Sequence, residues 1–359
     1  MRINPSLLIA IGILIFVTYV ILIGVNPSEL LKVTMRASPL YYFLAILIDI
    51  NFIFFYGIAW FFLVRCICDD IKLKDALVIV IIGWFGDMLI PAAFMTGEAL
   101  RLYLLKKLYN IEYTKGLATV VMHRVLSAIA FAMFVALGLT FLIEGGKIIS
   151  NDVIKRGLFA ISLAIIVILV GLVLVFKIDL IERWSLRAFT YLARSFKKFR
   201  LEMYQEKVLS LIKSYKESVN LLKERSNNIL VGFAFLITQW SLGVAIPYIF
   251  FMAVGFRMSY WALATAYPIY GLADNIPIGI PVNAGVLDVA MTSMFILLGA
   301  PKEVAVTVTL LTRSIIVMFE AVFTGIITAI YSPKYFEDFS LDFLKELIQN
   351  TSKFISKEE

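Results

Sequence analysis

Eight uninterrupted apolar runs set what this chain can fold into. They fall at about 7–25, 40–64, 76–93, 117–143, 157–177, 229–254, 260–281 and 303–330. A helix of roughly 18–20 apolar residues crosses a hydrocarbon core of about 30 Å. Inside that core no water satisfies the backbone, so segments that cross it must bond their own N–H and C=O groups as helices. The composition agrees: 61% of the residues are hydrophobic and 16% charged, against roughly 45–50% and about 25% in soluble domains. The expectation is an all-α membrane protein with one transmembrane domain over 1–331 and a short cytoplasmic tail over 332–359. The first run has only Met1 and Arg2 as a basic flank, and no small-residue cleavage site stands at Val25-Asn26-Pro27. It reads as a retained span rather than a signal peptide.

Two shorter apolar pieces, about 97–107 and 288–299, cannot cross. Each follows a run that contains proline and glycine, the pattern of a hairpin that enters the membrane and turns back. The expected architecture is therefore a bundle of about six full spans plus two re-entrant or broken-helix hairpins. Basic residues orient it. The net charge is +7, and twelve Lys or Arg residues crowd into 177–225, which places that loop in the cytoplasm. Both termini then also lie on the cytoplasmic side of a plasma membrane. The loop 144–156 falls outside despite Lys147, Lys155 and Arg156, a tension in this topology. Within the basic loop at about 178–228, Val208, Leu211, Ile212, Tyr215, Val219 and Leu222 recur at helical spacing. This marks either an amphipathic helix on the inner leaflet or a plain helical connector. The flanking spans favour a membrane-surface role for the positive charge over nucleic-acid binding. Cys66 and Cys68 lack partners for a zinc signature and read as inert thiols.

Two stretches resemble each other. The first reads ALVIVIIGWFGDMLIPAAFMTGEALRLYLLKK from Ala76, the second ALATAYPIYGLADNIPIGIPVNAGVLDVAMTSMF from Ala262. Asp87 precedes Ile90-Pro91, as Asp274 precedes Ile276-Pro277. Gly97 precedes Glu98, and Gly285 stands shortly before Asp288. A long span with one arginine follows each, Arg124 or Arg313. The repeat halves cover about 40–143 and 229–330. The spans before the two hairpins cross in opposite directions, so one hairpin opens inward and the other outward, the inverted-repeat plan of many transporters. Pro91, Gly97, Pro277, Pro281 and Gly285 are the expected hinges.

Ionisable groups within the apolar runs carry the chemistry: Asp49, Asp87, Glu98, Arg101, His123, Arg124, Asp274, Asp288, Arg313 and Glu320. Each costs about 2.5–3.5 kcal/mol at a helix centre facing lipid, so the chain must turn them inward. Asp49 and Glu320 stand alone on their spans and read as structural ion pairs. Arg124 and Arg313 are the expected anion ligands, because a guanidinium stays charged when buried and binds phosphate bidentately. The helix starts after Gly97 and Gly285 add N–H groups and partial positive charge. Glu98, Asp288, Asp87, Asp274 and Asn275 join the headgroup candidates, lining a polar path or accepting protons. Arg101 also joins them, although Glu98 lies three residues before it and local pairing competes. His123, the sole histidine, reads as structural. The sequence carries no G-x-x-x-x-G-K-[ST] run and no H-E-x-x-H, so neither a P-loop ATPase nor a zincin is expected. No cofactor is implied.

These residues bring a family resemblance. IPAAFMTGEALRLYLL followed by the HR pair at 123–124 resembles the first signature of the transmembrane region of lysylphosphatidylglycerol synthases. IPIGIPVNAGVLD, then LGAP at 298–301 and LLTR at 310–313, resembles the second. The resemblance covers about 5–331, and small stand-alone relatives, many archaeal, are described as flippase-like. It implies a polytopic plasma-membrane protein linked to moving a lipid between leaflets. Glu98, Arg101, Arg124, Asp288 and Arg313 match the family's polar positions. The chain departs at His123, where an acidic residue is usual, at Asp288, where glutamate is usual, and at Val282-Asn283-Ala284, where the lead-in is usually glycine-rich. The soluble aminoacyl-transfer domain of the full-length synthases is not expected, so neither is lysyl-lipid synthesis or other enzyme activity. The leading expectation is a carrier for an anionic lipid, a phospholipid or a polyprenyl-phosphate sugar. The alternatives are a secondary transporter of a small soluble anion and a membrane scaffold for a lipid or glycan biosynthetic enzyme.

Overall fold

The computed structural model describes residues 24–89, 95–144, 205–275 and 280–336 continuously, with individual positions between 14 and 22 and between 155 and 187. The side chains of Glu144, 205–208, Leu211, Asp274, Asn275 and 332–336 lie outside that description. Among the described residues the chain is helical throughout, without a strand. A short helix α1, Pro27–Thr34, is capped by Asn26, whose side chain accepts from the Ser28 N–H. The long helix α2, Pro39–Arg65, starts with proline in its first turn behind Ser38. Then come α3, Leu73–Leu89, and α4, Met95–Tyr109, before the long α5, Tyr113–Glu144. Helix α6, Gln205–Glu224, leads into the long α7, Ser226–Ala253. Two short helices follow, α8, Tyr260–Gly271, and α9, Val286–Leu297. The last pair, α10, Lys302–Arg313, and α11, Glu320–Phe336, is joined by a π-helical turn over Ser314–Phe319.

Four of these stretches are long and apolar enough to cross a membrane: Pro39–Arg65, Tyr113–Ile143, Ser226–Ala253 and Lys302–Tyr331. At 1.5 Å per residue, α2 is about 40 Å long, more than the hydrocarbon core needs. The chain is thus a polytopic helical membrane protein. The expected first and fifth spans, 7–25 and 157–177, fall on residues described only in part. The expected tail over 332–359 is likewise described only to Phe336.

Each half runs long, short, short, long: α2 to α5, then α7 to α11. The long α2 and α7 pack along each other, helped by Gly232, where a Cβ would stand 3.0 Å from the Ala59 carbonyl. The halves also interlock. Helix α8 of the second half packs on α5 of the first, and α3 of the first packs on α11 of the second. Gly138 admits the first contact, because a Cβ there would stand 2.7 Å from the Trp261 carbonyl. The three largest apolar clusters among the described residues hold the bundle: Trp60, Ile79 and Leu104 between α2, α3 and α4; Ala59, Met122 and Leu222 between α2, α5 and α6; Phe250, Leu263 and Phe295 between α7, α8 and α9.

Helix α6 carries the apolar face read from the sequence, but Tyr215, Val219 and Leu222 meet protein rather than lipid. Its polar edge docks on the start of α5: Thr114 Oγ1 donates to Ser214 Oγ at 2.9 Å, and Ser214 Oγ to Glu112 Oε2 at 2.5 Å. Arg225 then grips the 66–72 turn, donating from Nη2 to Asp69 Oδ2 at 2.9 Å and from Nη1 to the Arg65 carbonyl at 3.0 Å. The turns around Asp69 and Glu112, with helix α6 docked on both, therefore share one end of the bundle.

Candidate functional site

The two short-helix pairs tie their own ends with carboxylates. Asp87, near the end of α3, accepts from the Gly97 N–H in the first turn of α4 at 2.7 Å. Asp288, in the first turn of α9, accepts from the Gly285 N–H at 2.6 Å. The N–H groups expected to meet a ligand thus meet the chain's own carboxylates, which satisfy the helix starts in the same physical way. Gly97 serves close approach rather than hinging. A Cβ there would collide with the Asp87 carboxylate and stand 2.6 Å from the Gly83 carbonyl, so α3 and α4 cross on Gly83 and Gly97. Gly285 has a φ of +80° and Pro281 opens a short 3-10 turn, so irregular backbone does precede α9. Pro91 and Pro277 lie outside the described residues, as do the side chains of Asp274 and Asn275, whose backbone forms the 3-10 turn Leu272–Asn275.

Each half then places an arginine on a carboxylate far along the chain. Arg124 donates from Nε to Glu98 Oε1, 26 residues apart. Arg313 donates from Nε to Asp288 Oδ1 at 3.0 Å, 25 residues apart, and from Nη2 to the Val282 carbonyl at 2.6 Å. Val282 reaches that position with a φ of +52°, the left-handed region that a β-branched residue adopts only under strain. Arg101 keeps the local pairing that its spacing allows, as a longer ion pair than the one Arg124 makes. Its nearest carboxylate oxygen, on Glu98, is 3.8 Å away. Its guanidinium lies over the rings of Tyr56 and Trp60, at 5.6 and 5.5 Å from their centroids. Arg101 is only 4% exposed, and its Nη1 has no hydrogen-bond partner.

A cavity of about 580 Å³ joins these elements. Arg101, Arg124 and Arg313 all line it, with Asp87, Asp49 and Glu320. Glu98 and Asp288 are not on its wall, so they sit behind the guanidiniums they hold. Phe52, Trp84, Phe131, Trp240 and Tyr267 make much of the remaining surface, which is predominantly apolar. Leu163 and Ile166 also line it, and Ile166 is 56% exposed, so the cavity reaches residues on the outer surface of the bundle. Gly243 makes room for this wall, since any Cβ there would overlap the Tyr267 ring.

Sequence reasoning set Asp49 and Glu320 aside, and the structure brings both to the cavity. Asp49 is fully buried and Glu320 is 3% exposed. The Asp49 carboxyl lies against that of Glu320, whose Oε2 accepts from Trp84 Nε1 at 2.7 Å. Gln239, 190 residues after Asp49 and at the matching place on α7, lines the same cavity. Glu98 and Asp288 also stand 190 residues apart, so that shared spacing links Asp49 to Gln239 but gives no sign of Glu320. His123 is buried edge-on against Tyr56, with ring centroids 4.5 Å apart, and is not on the cavity wall.

Residues 7–323 match the family described as the lysylphosphatidylglycerol synthase TM region. This chain belongs to that family. Its curated relatives are archaeal and cover nearly the same length. It is 26% identical to the UPF0104 membrane protein PH1989 of Pyrococcus horikoshii, over 89% of this chain and 95% of the relative. It is 22% identical to a UPF0104 membrane protein of Methanothermobacter thermautotrophicus, over 88% and 92%. It is 24% identical to the UPF0104 membrane protein MJ1595 of Methanocaldococcus jannaschii, over 86% and 90%. No solved structure matches the chain significantly. The family match spans both arginine–carboxylate pairs.

Proposed function

We propose that this family member moves an anionic lipid between membrane leaflets without catalysing a reaction, holding the phosphate in the cavity while the acyl or prenyl chains stay in lipid. The observation that carries this reading is the buried Nη1 of Arg101, unpartnered on a wall that also presents Arg124 and Arg313. A buried charged donor left unsatisfied is costly, and a phosphate oxygen satisfies it with a charge-assisted bond. A phospholipid or a polyprenyl-phosphate sugar fits this chemistry.

The rest of the geometry supports the same reading. The wall is mostly aromatic and aliphatic, and the exposed Ile166 at its edge gives a route toward acyl chains. A small soluble anion needs no such edge. The two halves repeat in element order and in their arginine–carboxylate spacing, so we read them as an inverted repeat whose short-helix pairs open the cavity to opposite sides in turn. The turns around Asp69 and Glu112, with α6 docked on them, belong to the basic side, which we assign to the cytoplasm of a plasma-membrane protein. The docked helix α6 is the surface on which a lipid or glycan biosynthetic enzyme would meet the carrier.

Native mass spectrometry of the purified protein tests the headgroup site. Wild type is expected to retain phosphatidylglycerol in preference to phosphatidylcholine. Arg101→Gln is expected to weaken that retention about tenfold or more, as loss of a charge-assisted bond of roughly 1.5–3 kcal/mol implies. Equal retention of both lipids, or unchanged retention in the variant, removes the basis of this reading. Displacement by inorganic phosphate but not by phospholipid would move it to a soluble-anion carrier.

A further inference from the structure

The buried acids of the cavity do more than the headgroup site asks of them. Asp49 sits ten residues into α2, about 15 Å from its start, deep in a membrane-crossing helix. It is fully buried, and no donor reaches either of its oxygens. Its polar neighbour is the Glu320 carboxyl from α11. A carboxylate only accepts hydrogen bonds, so two ionised carboxylates cannot bond each other. With one proton between them they can. Two adjacent like charges in a weakly screened site also do not both stay ionised. Trp84 Nε1 donates to Glu320 Oε2 at 2.7 Å and so fixes that carboxyl on the cavity wall.

The surroundings give Asp49 no other relief. Facing the cavity are Asp87 from α3, Arg101 from α4, Arg124 from α5, Tyr267 and Tyr270 from α8, Arg313 from α10 and Tyr56 on α2 itself. Helix α7 contributes the neutral Gln239. Arg124 is held by Glu98 and Arg313 by Asp288. Three guanidiniums thus stand against five carboxyls among the described groups.

We propose that Asp49 and Glu320 form a proton-binding carboxyl pair linked to anion binding in the same cavity, so that headgroup entry brings a proton with it. The linked half rests on the headgroup reading above, and the proton-binding half does not. An anion near the pair adds negative charge and raises its affinity for a proton. By reciprocity, the protonated pair binds the anion more tightly. The proton comes from the compartment that supplies the lipid and leaves on the side that receives it. Acid favours loading, and alkali favours release.

Infrared spectroscopy of the full-length protein in phosphatidylcholine vesicles reads the first half. Wild type at neutral pH is expected to show a protonated-carboxyl band that disappears on alkalinisation. Glu320→Gln and Asp49→Asn are expected to lack it. The amide oxygen that Glu320→Gln introduces can still accept from Trp84, so at least one variant keeps the fold. Adding short-chain phosphatidylglycerol, whose phosphodiester does not titrate near neutrality, reads the second half. Wild type should take up protons from a weakly buffered medium, and both variants should not. Arg101→Gln should keep the band but lose the lipid-driven uptake. A neutral-pH spectrum without the band, or a band unchanged in both variants, overturns the pair. A band removed by sodium at constant pH makes it a metal-cation site and overturns the proposal likewise. A normal band with no uptake, in a protein that binds phosphatidylglycerol, overturns the linkage alone. Unaltered lipid binding in Arg101→Gln would sink the headgroup site while leaving the pair standing.

Discussion

Single residues in this protein are held in states that only their neighbours justify. Val282 is the clearest. Its left-handed backbone costs roughly 1–2 kcal/mol and directs a carbonyl to Arg313 Nη2. The strain lies beside an arginine that lines the cavity, and strain of this kind gathers where geometry serves function. Val282→Gly removes the penalty but adds unfolded-state freedom of about 0.5–1 kcal/mol, so a net gain near 1 kcal/mol is expected in thermal unfolding in detergent. A lowered midpoint would show that the backbone is unstrained or that the valine side chain packs. The sequence displayed all ten membrane charges, yet not their pairing. Local spacing put Glu98 with Arg101, and that contact stands at 3.8 Å, but Arg124, 26 residues on, holds the same carboxylate and was not legible. Asp49 and Glu320 each stood alone on a span because the partner is 271 residues away. Periodicity reads neighbours three or four apart on one helix and is silent on contacts between helices.

At the scale of elements, the apolar runs located the helices closely. The runs at 40–64 and 229–254 became Pro39–Arg65 and Ser226–Ala253. A proline stands between α3 and α4, and prolines and glycines between α8 and α9. The docking of α6 was not legible, since its amphipathic pattern suits a bilayer surface and a protein groove equally. The crossing of α3 and α4 depends on Gly83 and Gly97. Gly97→Ala must push α4 away from Asp87 and is expected to destabilise by about 1–3 kcal/mol, as overpacking does. An unchanged melting temperature would mean the hairpin has slack. The Arg225 clasp makes a different prediction. Hydrogen bonds from Arg225 hold the Asp69 carboxyl below the usual carboxylate range. A depressed folded value gives stability that is present above the unfolded pKa, about 4, and lost as pH falls through it and below. The pair is exposed, so salt screens it. Asp69→Asn should therefore lower stability slightly at neutral pH and low salt, with the difference vanishing in acid or high salt. A difference that persists in acid would assign the effect to packing instead.

At the scale of the whole molecule, the interlocked halves explain why one cavity collects groups from both. Each short-helix pair packs on the closing long helix of the other half. Movement of either pair must then alter the wall that carries Arg101, Arg124 and Arg313. The sequence carries Asp, Gly, acid and Arg in the same order twice, but neither the shared cavity nor its reach to Ile166 follows from that order alone. The most direct test of lipid movement is a transbilayer assay in proteoliposomes, with fluorescent phosphatidylglycerol, phosphatidylcholine and a polyprenyl-phosphate analogue exposed to an external quencher. Wild type is predicted to bring inner-leaflet anionic lipid to the quencher well above the protein-free rate. Arg101→Gln combined with Arg313→Gln is predicted to return that rate to background without loss of folded protein. Anionic lipid that moves no faster than in protein-free vesicles, with and without an imposed proton gradient, would contradict the account.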